Sequence, residues 1–167
     1  MMRLWLEHVA SLFETIRVVS GNHERRLFYA LEGFHAPQFM RLIADNRRTQ
    51  FSIYTEMTLT SGGVTWRCVH PHSYSRLPGS IGRKLADKYD QDMIVGHLHC
   101  SCVGRNTGNR RTFIESGGLH QSNMLAYAAL RVTTAPVMSN GFVLVKDGAG
   151  LLFTPPEYHL VDYSKWL

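Results

Sequence analysis

Apolar residues recur at helical spacing over Arg3–Glu14, where Leu4, Trp5, Val9, Leu12 and Phe13, with Ile16 just beyond, predict an amphipathic helix. Ile16-Arg17-Val18-Val19-Ser20 then changes to a β-branched run, a short strand that ends in the polar turn Gly21-Asn22-His23-Glu24. Ala36–Arg48 reads as a second helix, with Phe39, Met40, Leu42 and Ile43 on its apolar side and Pro37 in its first turn. Gln50–Thr60 and Val64–His70 have strand-like patterns and are joined by Ser61-Gly62-Gly63 as a hairpin. In the second of these, Val64, Trp66 and Cys68 alternate with Thr65, Arg67 and Val69, and Pro71 prevents further pairing beyond His70. His72–Gly82 is a loop rich in Ser, Pro and Gly, and Ile81–Tyr89 is a short helix that feeds the strand Asp92–Val95. Val103–Arg111 reads as a Gly-rich surface loop and Thr112–Ser116 as a strand ending at Gly117-Gly118. Gly141–Lys146 and Leu151–Thr154 form a hairpin through Asp147-Gly148-Ala149-Gly150. The mixture of helices and strands is that of an α/β protein.

Composition narrows the class. At 167 residues, 44% hydrophobic and 19% charged, the chain fits a single globular domain spanning 1–167. No run approaches the roughly 20 apolar residues of a membrane-spanning helix. Glu7 and His8 stand where a signal peptide would carry its apolar run, so no membrane association and a cytoplasmic location are expected. Cys68, Cys100 and Cys102 are too few for a disulfide framework and read as buried or partly buried free thiols. A zinc site using Cys100 and Cys102 with His97 or His99 is the thiolate alternative. The formal net charge of +5 favours phosphate-bearing partners, although the pairs Arg25-Arg26, Arg47-Arg48 and Arg110-Arg111 could equally be a solvated face.

The candidate chemistry is carried by histidines. Val95-Gly96-His97-Leu98-His99 places two imidazoles in a turn at a strand end, and neutral imidazole is a good ligand for zinc, manganese or iron. Two other strand ends deliver Asn22 with His23, and His70. Open α/β sheets bind ligands at such strand ends. Taken in order, Gly21-Asn22-His23-Glu24, the strand-end His70 and Gly96-His97-Leu98-His99 resemble the second half of the motif set of calcineurin-like metallophosphoesterases, and the tail from Tyr127 to Pro155 looks most like phage and bacterial members.

That resemblance implies a sandwich of mixed β-sheets flanked by helices, and a two-metal hydrolysis of a phosphomonoester or phosphodiester by a metal-activated water. It implies that Asn22, His70 and His97 ligate one divalent metal and His99 the other, with manganese, iron or zinc as the ions. His23 would be the charge stabiliser or general acid beside the scissile phosphate, and Arg25 and Arg26 would help bind the substrate. The substrate could be a nucleic acid or a phosphoprotein.

The chain departs from the family in one respect. The Asp-x-His and Gly-Asp-x-x-Asp motifs that open the family's set are absent, so the metal-bridging carboxylate is missing. The expectation is a carboxy-terminal portion of the domain, lacking the first strands, able to hold at most one metal and completed by another chain. Met1-Met2 directly ahead of a helix fits a reading frame that begins late. The alternative is a non-catalytic remnant or a module that binds phosphate or nucleic acid through its basic loops.

Overall fold

The computed structural model describes residues 2–30, 48–52, 54–119 and 138–154. The chain divides into two compact units, Met1–Met57 and Thr58–Leu167.

The first unit opens with helix α1 (Met2–Leu12), which buries Ala10 and leaves Leu12 exposed. Strand β1 (Ile16–Val19) lies parallel to β2 (Thr49–Ser52), in register from Ile16↔Thr49 to Val19↔Ser52. Arg48 ties the strands to the helix, because its Nη1 donates to the Ala10 carbonyl at 2.6 Å. The buried Ser20 hydroxyl donates to the Ser52 carbonyl and closes the carboxyl ends of the two strands. The expected polar turn at Gly21–Glu24 proves to be a helix start, with α2 spanning Asn22–Ala30. The Glu24 carboxylate reaches back to accept the Gly21 amide at 2.8 Å, which satisfies one of the donors a helix amino terminus leaves open. The helix expected over Ala36–Arg48 lies almost wholly outside the described residues.

The second unit is built on a five-stranded sheet in the order β3-β4-β5-β7-β6. Its strands are β3 (Glu56–Ser61), β4 (Val64–Val69), β5 (Asp92–Val95), β6 (Ser101–Arg105) and β7 (Thr112–Ser116). β4, β5 and β7 run parallel, and β6 is antiparallel to β7, so the sheet is mixed. Helix α3 (Ser80–Tyr89) makes the crossover from β4 to β5 and packs on one face of the sheet. Side chains alternate across a strand. Met93, Val95 and Phe113 therefore share the helix face and join Ile81, Ala86, Leu98 and Cys100 in the core. Phe113 occupies the space that two glycines leave: a methyl group at Gly82 or Gly104 would come within 2.6 or 2.5 Å of its ring. The opposite face carries Trp66 and Ile114, which meet Gly150 of the hairpin β8 (Phe142–Lys146) and β9 (Ala149–Phe153). The Trp66 indole donates to the Gly148 carbonyl at 3.1 Å and anchors that hairpin.

Two sequence expectations are corrected here. The single strand over Gln50–Thr60 is two strands, β2 and β3, in different sheets, separated by a bend in which the Tyr54 amide donates to Ser52 Oγ. The surface loop over Val103–Arg111 begins as strand β6, because its backbone pairs with β7 from Ser101↔Ser116 to Arg105↔Thr112. The α/β class and the mixed sheet are as expected. Among the described residues no helix is long and apolar enough to cross a membrane.

Candidate functional site at the ends of β4 and β5

β4 and β5 are paired in register up to Val69↔Val95, so the two chains leave the sheet side by side. The Gly96 amide donates to the Val69 carbonyl at 2.9 Å and extends the ladder by one bond. His70 follows directly on β4, and His97 is the second residue beyond β5. Their ring centroids are 4.8 Å apart with the planes tilted by 56°. Tyr74, four residues along the loop, stands perpendicular to His97 with centroids 6.5 Å apart.

The turn that carries His97 is unusual in its backbone. His97 and His99 have φ of 75° and 55°, the left-handed region that a side chain normally disfavours by roughly 1–2 kcal/mol. The surroundings hold them there. Leu98, between the two, is buried in the core, and so is Cys100. The His99 carbonyl accepts the Ser139 amide at 2.9 Å, and the Ser139 hydroxyl accepts the Ser101 amide at 2.6 Å. Backbone strain of this kind persists where the structure around it over-determines the conformation, and it concentrates at functional sites.

The other expected site residues lie in the first unit. Asn22 opens α2 and is partly buried, while His23 and Arg26 are exposed. Arg25 donates through Nη2 to the Tyr29 hydroxyl at 3.2 Å. The structure thus brings together His70 and His97 within the second unit, with His99 in the same turn.

Sequence reasoning missed Glu115. This residue of β7 has no solvent exposure. Its Oε2 accepts the Gly79 amide at 2.7 Å and its Oε1 the Gly82 amide at 3.0 Å, so the carboxylate sits on the amino terminus of α3. The negative charge suits the positive end of the helix dipole. The Cys100 thiol also donates to it, at 3.5 Å. Burial first, and then the neighbouring Glu115 charge, push the Cys100 thiol up to about 12, and burial alone pushes Cys68 up to about 11. All three cysteines are free thiols, as expected. Among the described residues, Cys100 and Cys102 belong to no group of three or more His, Cys, Asp or Glu side chains placed to hold a metal ion, so the alternative thiolate zinc site finds no support.

The donor set bears on the metals directly. Metal–imidazole bonds of about 2.1 Å put the ring centres of two histidines on one ion roughly 4.5–5.5 Å apart. The 4.8 Å between His70 and His97 falls in that range. Among the described residues no group of three or more His, Cys, Asp or Glu side chains could hold a metal ion. The pair therefore fits two positions on one ion, and a two-metal centre does not fit the described donors.

No family model matches the chain, and neither does any curated protein. Among solved structures, a single mutant of Vps29 from Entamoeba histolytica is 15% identical with a TM-score of 0.41, covering 91% of this chain and 87% of that one. Wild-type Vps29 of the same organism, complexed with zinc, is 13% identical with a TM-score of 0.40 and the same coverage. A Thermotoga maritima protein solved in solution is 12% identical with a TM-score of 0.38, covering 72% of each chain. Likeness at this level carries no argument about activity, and the fold stands on the strand order described above.

Proposed function

We propose that the chain is a metallophosphoesterase-type domain that binds a phosphomonoester or phosphodiester at the carboxyl ends of β4 and β5 and hydrolyses it with a divalent metal. The observation that carries this reading is the His70–His97 pair at 4.8 Å, on adjacent parallel strand ends and with His97 in a strained backbone conformation. In this reading the two imidazoles are donors to one manganese, iron or zinc ion. The resemblance that motivates this reading would add Asn22 as an oxygen donor. A bound ion of this kind supplies a Lewis acid for the phosphoryl oxygens and lowers the pKa of a water. The chain's own part is electrostatic. By the same resemblance His23, with Arg25 and Arg26, would offset the charge on the phosphoryl oxygens and on the leaving group.

The test is metal content and turnover measured together. The purified chain is dialysed against manganese or zinc and assayed with a chromogenic phosphodiester, beside His97→Ala. The expected result is up to one equivalent of retained metal and measurable turnover, with both lowered by roughly 100-fold in affinity or rate in the variant. Metal retention that is indifferent to His97→Ala would remove the site. Salt-sensitive oligonucleotide binding without turnover would assign the second reading, a phosphate- or nucleic-acid-binding module.

A further inference from the structure

We infer that Tyr74 is a stacking platform for a nucleobase, so that the phosphoester taken at the His70–His97 pair is a nucleotide; this rests on the phosphoester reading of that pair. The loop Pro71–Gly79 leaves β4 at the site and returns to α3. Its tyrosine stands beside the candidate ligand, with the Tyr74 ring perpendicular to His97 at 6.5 Å. That geometry is an edge-to-face contact, which fixes the ring while leaving much of it uncovered. Tyr74 is 49% exposed, and the neighbouring Leu77 is 71% exposed. An aromatic face and an aliphatic flank in water next to a phosphate site match the chemistry of a base, whose π-face is recognised by stacking.

The loop holds this surface in place before any ligand arrives. Pro71 and Pro78 restrict the backbone near both ends. The Ser75 hydroxyl accepts the Leu77 amide at 3.1 Å, and the Ser80 amide donates to the Leu77 carbonyl at 3.3 Å. At the far end the Gly79 amide is held by the buried Glu115 carboxylate. A pre-ordered ring loses little entropy on stacking, which favours binding. The exposed Arg76 adds positive charge beside it, in a chain that is already basic.

The experiment is calorimetric titration of the whole chain, in manganese buffer, with AMP, ribose 5-phosphate and inorganic phosphate. AMP carries its base where ribose 5-phosphate carries the anomeric hydroxyl, and the two share the rest of the sugar and the phosphate. Wild type is expected to bind AMP about tenfold more tightly than ribose 5-phosphate, Tyr74→Ala to lose that ratio, and Tyr74→Phe to keep it. Equal affinities in wild type, or a ratio that survives Tyr74→Ala, overturns the nucleotide assignment. If inorganic phosphate binds and His97→Ala weakens it, the phosphoester site stands even where the base preference fails. If none of the three ligands binds, the phosphoester reading falls and takes the nucleotide with it.

Discussion

Glu115 shows what one residue can ask of its surroundings. A fully buried carboxylate is costly unless each oxygen finds donors, and here two backbone amides and a thiol supply them. Glu115→Gln turns one of those acceptors into a donor facing an amide. The expected loss is about 1–3 kcal/mol of stability, read from urea unfolding. His97 calls for a different comparison. Its φ of 75° suits glycine and strains alanine, so His97→Gly should be more stable than His97→Ala by about 1 kcal/mol in the same measurement. Both variants should lose the metal. The two residues differ in how far the sequence revealed them. Gly96-His97-Leu98-His99 announces itself as a turn bearing imidazoles, whereas Glu115 sits in a strand without marking itself as functional. A signal was present, because Glu115 is in phase with Phe113 on the buried face. Its partners Gly79 and Gly82 lie too far along the chain for local pattern to join them.

Elements with strong local patterning came through. Asp92–Val95 is legible residue for residue and Thr112–Ser116 likewise ends just before Gly117, whereas β4 stops at Val69, one residue short of the expected His70. β6 was missed because nothing local makes it a strand. Ser101-Cys102-Val103-Gly104-Arg105 lies at the edge with Val103 54% exposed, and it owes its conformation to pairing with β7. Gln50–Thr60 failed in the opposite way, since a continuous strand-like pattern hides a change of sheet. The turn beyond β6 offers a pH test. Arg111 donates to both oxygens of Asp90 at 3.1 Å, joining the end of α3 to this hairpin. The Arg111 hydrogen bonds, with smaller attraction from the Arg111 and Arg110 charges, hold the Asp90 carboxyl below its usual range. A lowered folded value means the pair stabilises above the ordinary aspartate pKa of about 3.9 and fades as pH falls through the folded value. Asp90→Asn should therefore lower the melting temperature at neutral pH and converge with wild type in acid. The difference should be small and shrink in high salt, because the pair is exposed.

At the scale of the whole molecule, the residues expected to form a site are divided between the two units. His70, His97 and His99 belong to the second, while Asn22, His23, Arg25 and Arg26 belong to the first. The sequence showed the order of the motifs. It could not supply the geometry, since a ring pair such as His70–His97 exists only once β4 and β5 are side by side. Within the second unit, the Glu115 clamp has a consequence for exchange with solvent. The Gly79 and Gly82 amides are held by a side chain that β7 contributes 36 and 33 residues later. Neither helix fraying nor loop opening alone frees that carboxylate, which is fixed within the sheet. In deuterium oxide these two protons should exchange as slowly as the amides of β5 and β7, despite standing at a loop and a helix's first turn. Amide exchange followed by NMR checks this, and fast exchange at Gly79 or Gly82 would show that α3 opens independently of the sheet.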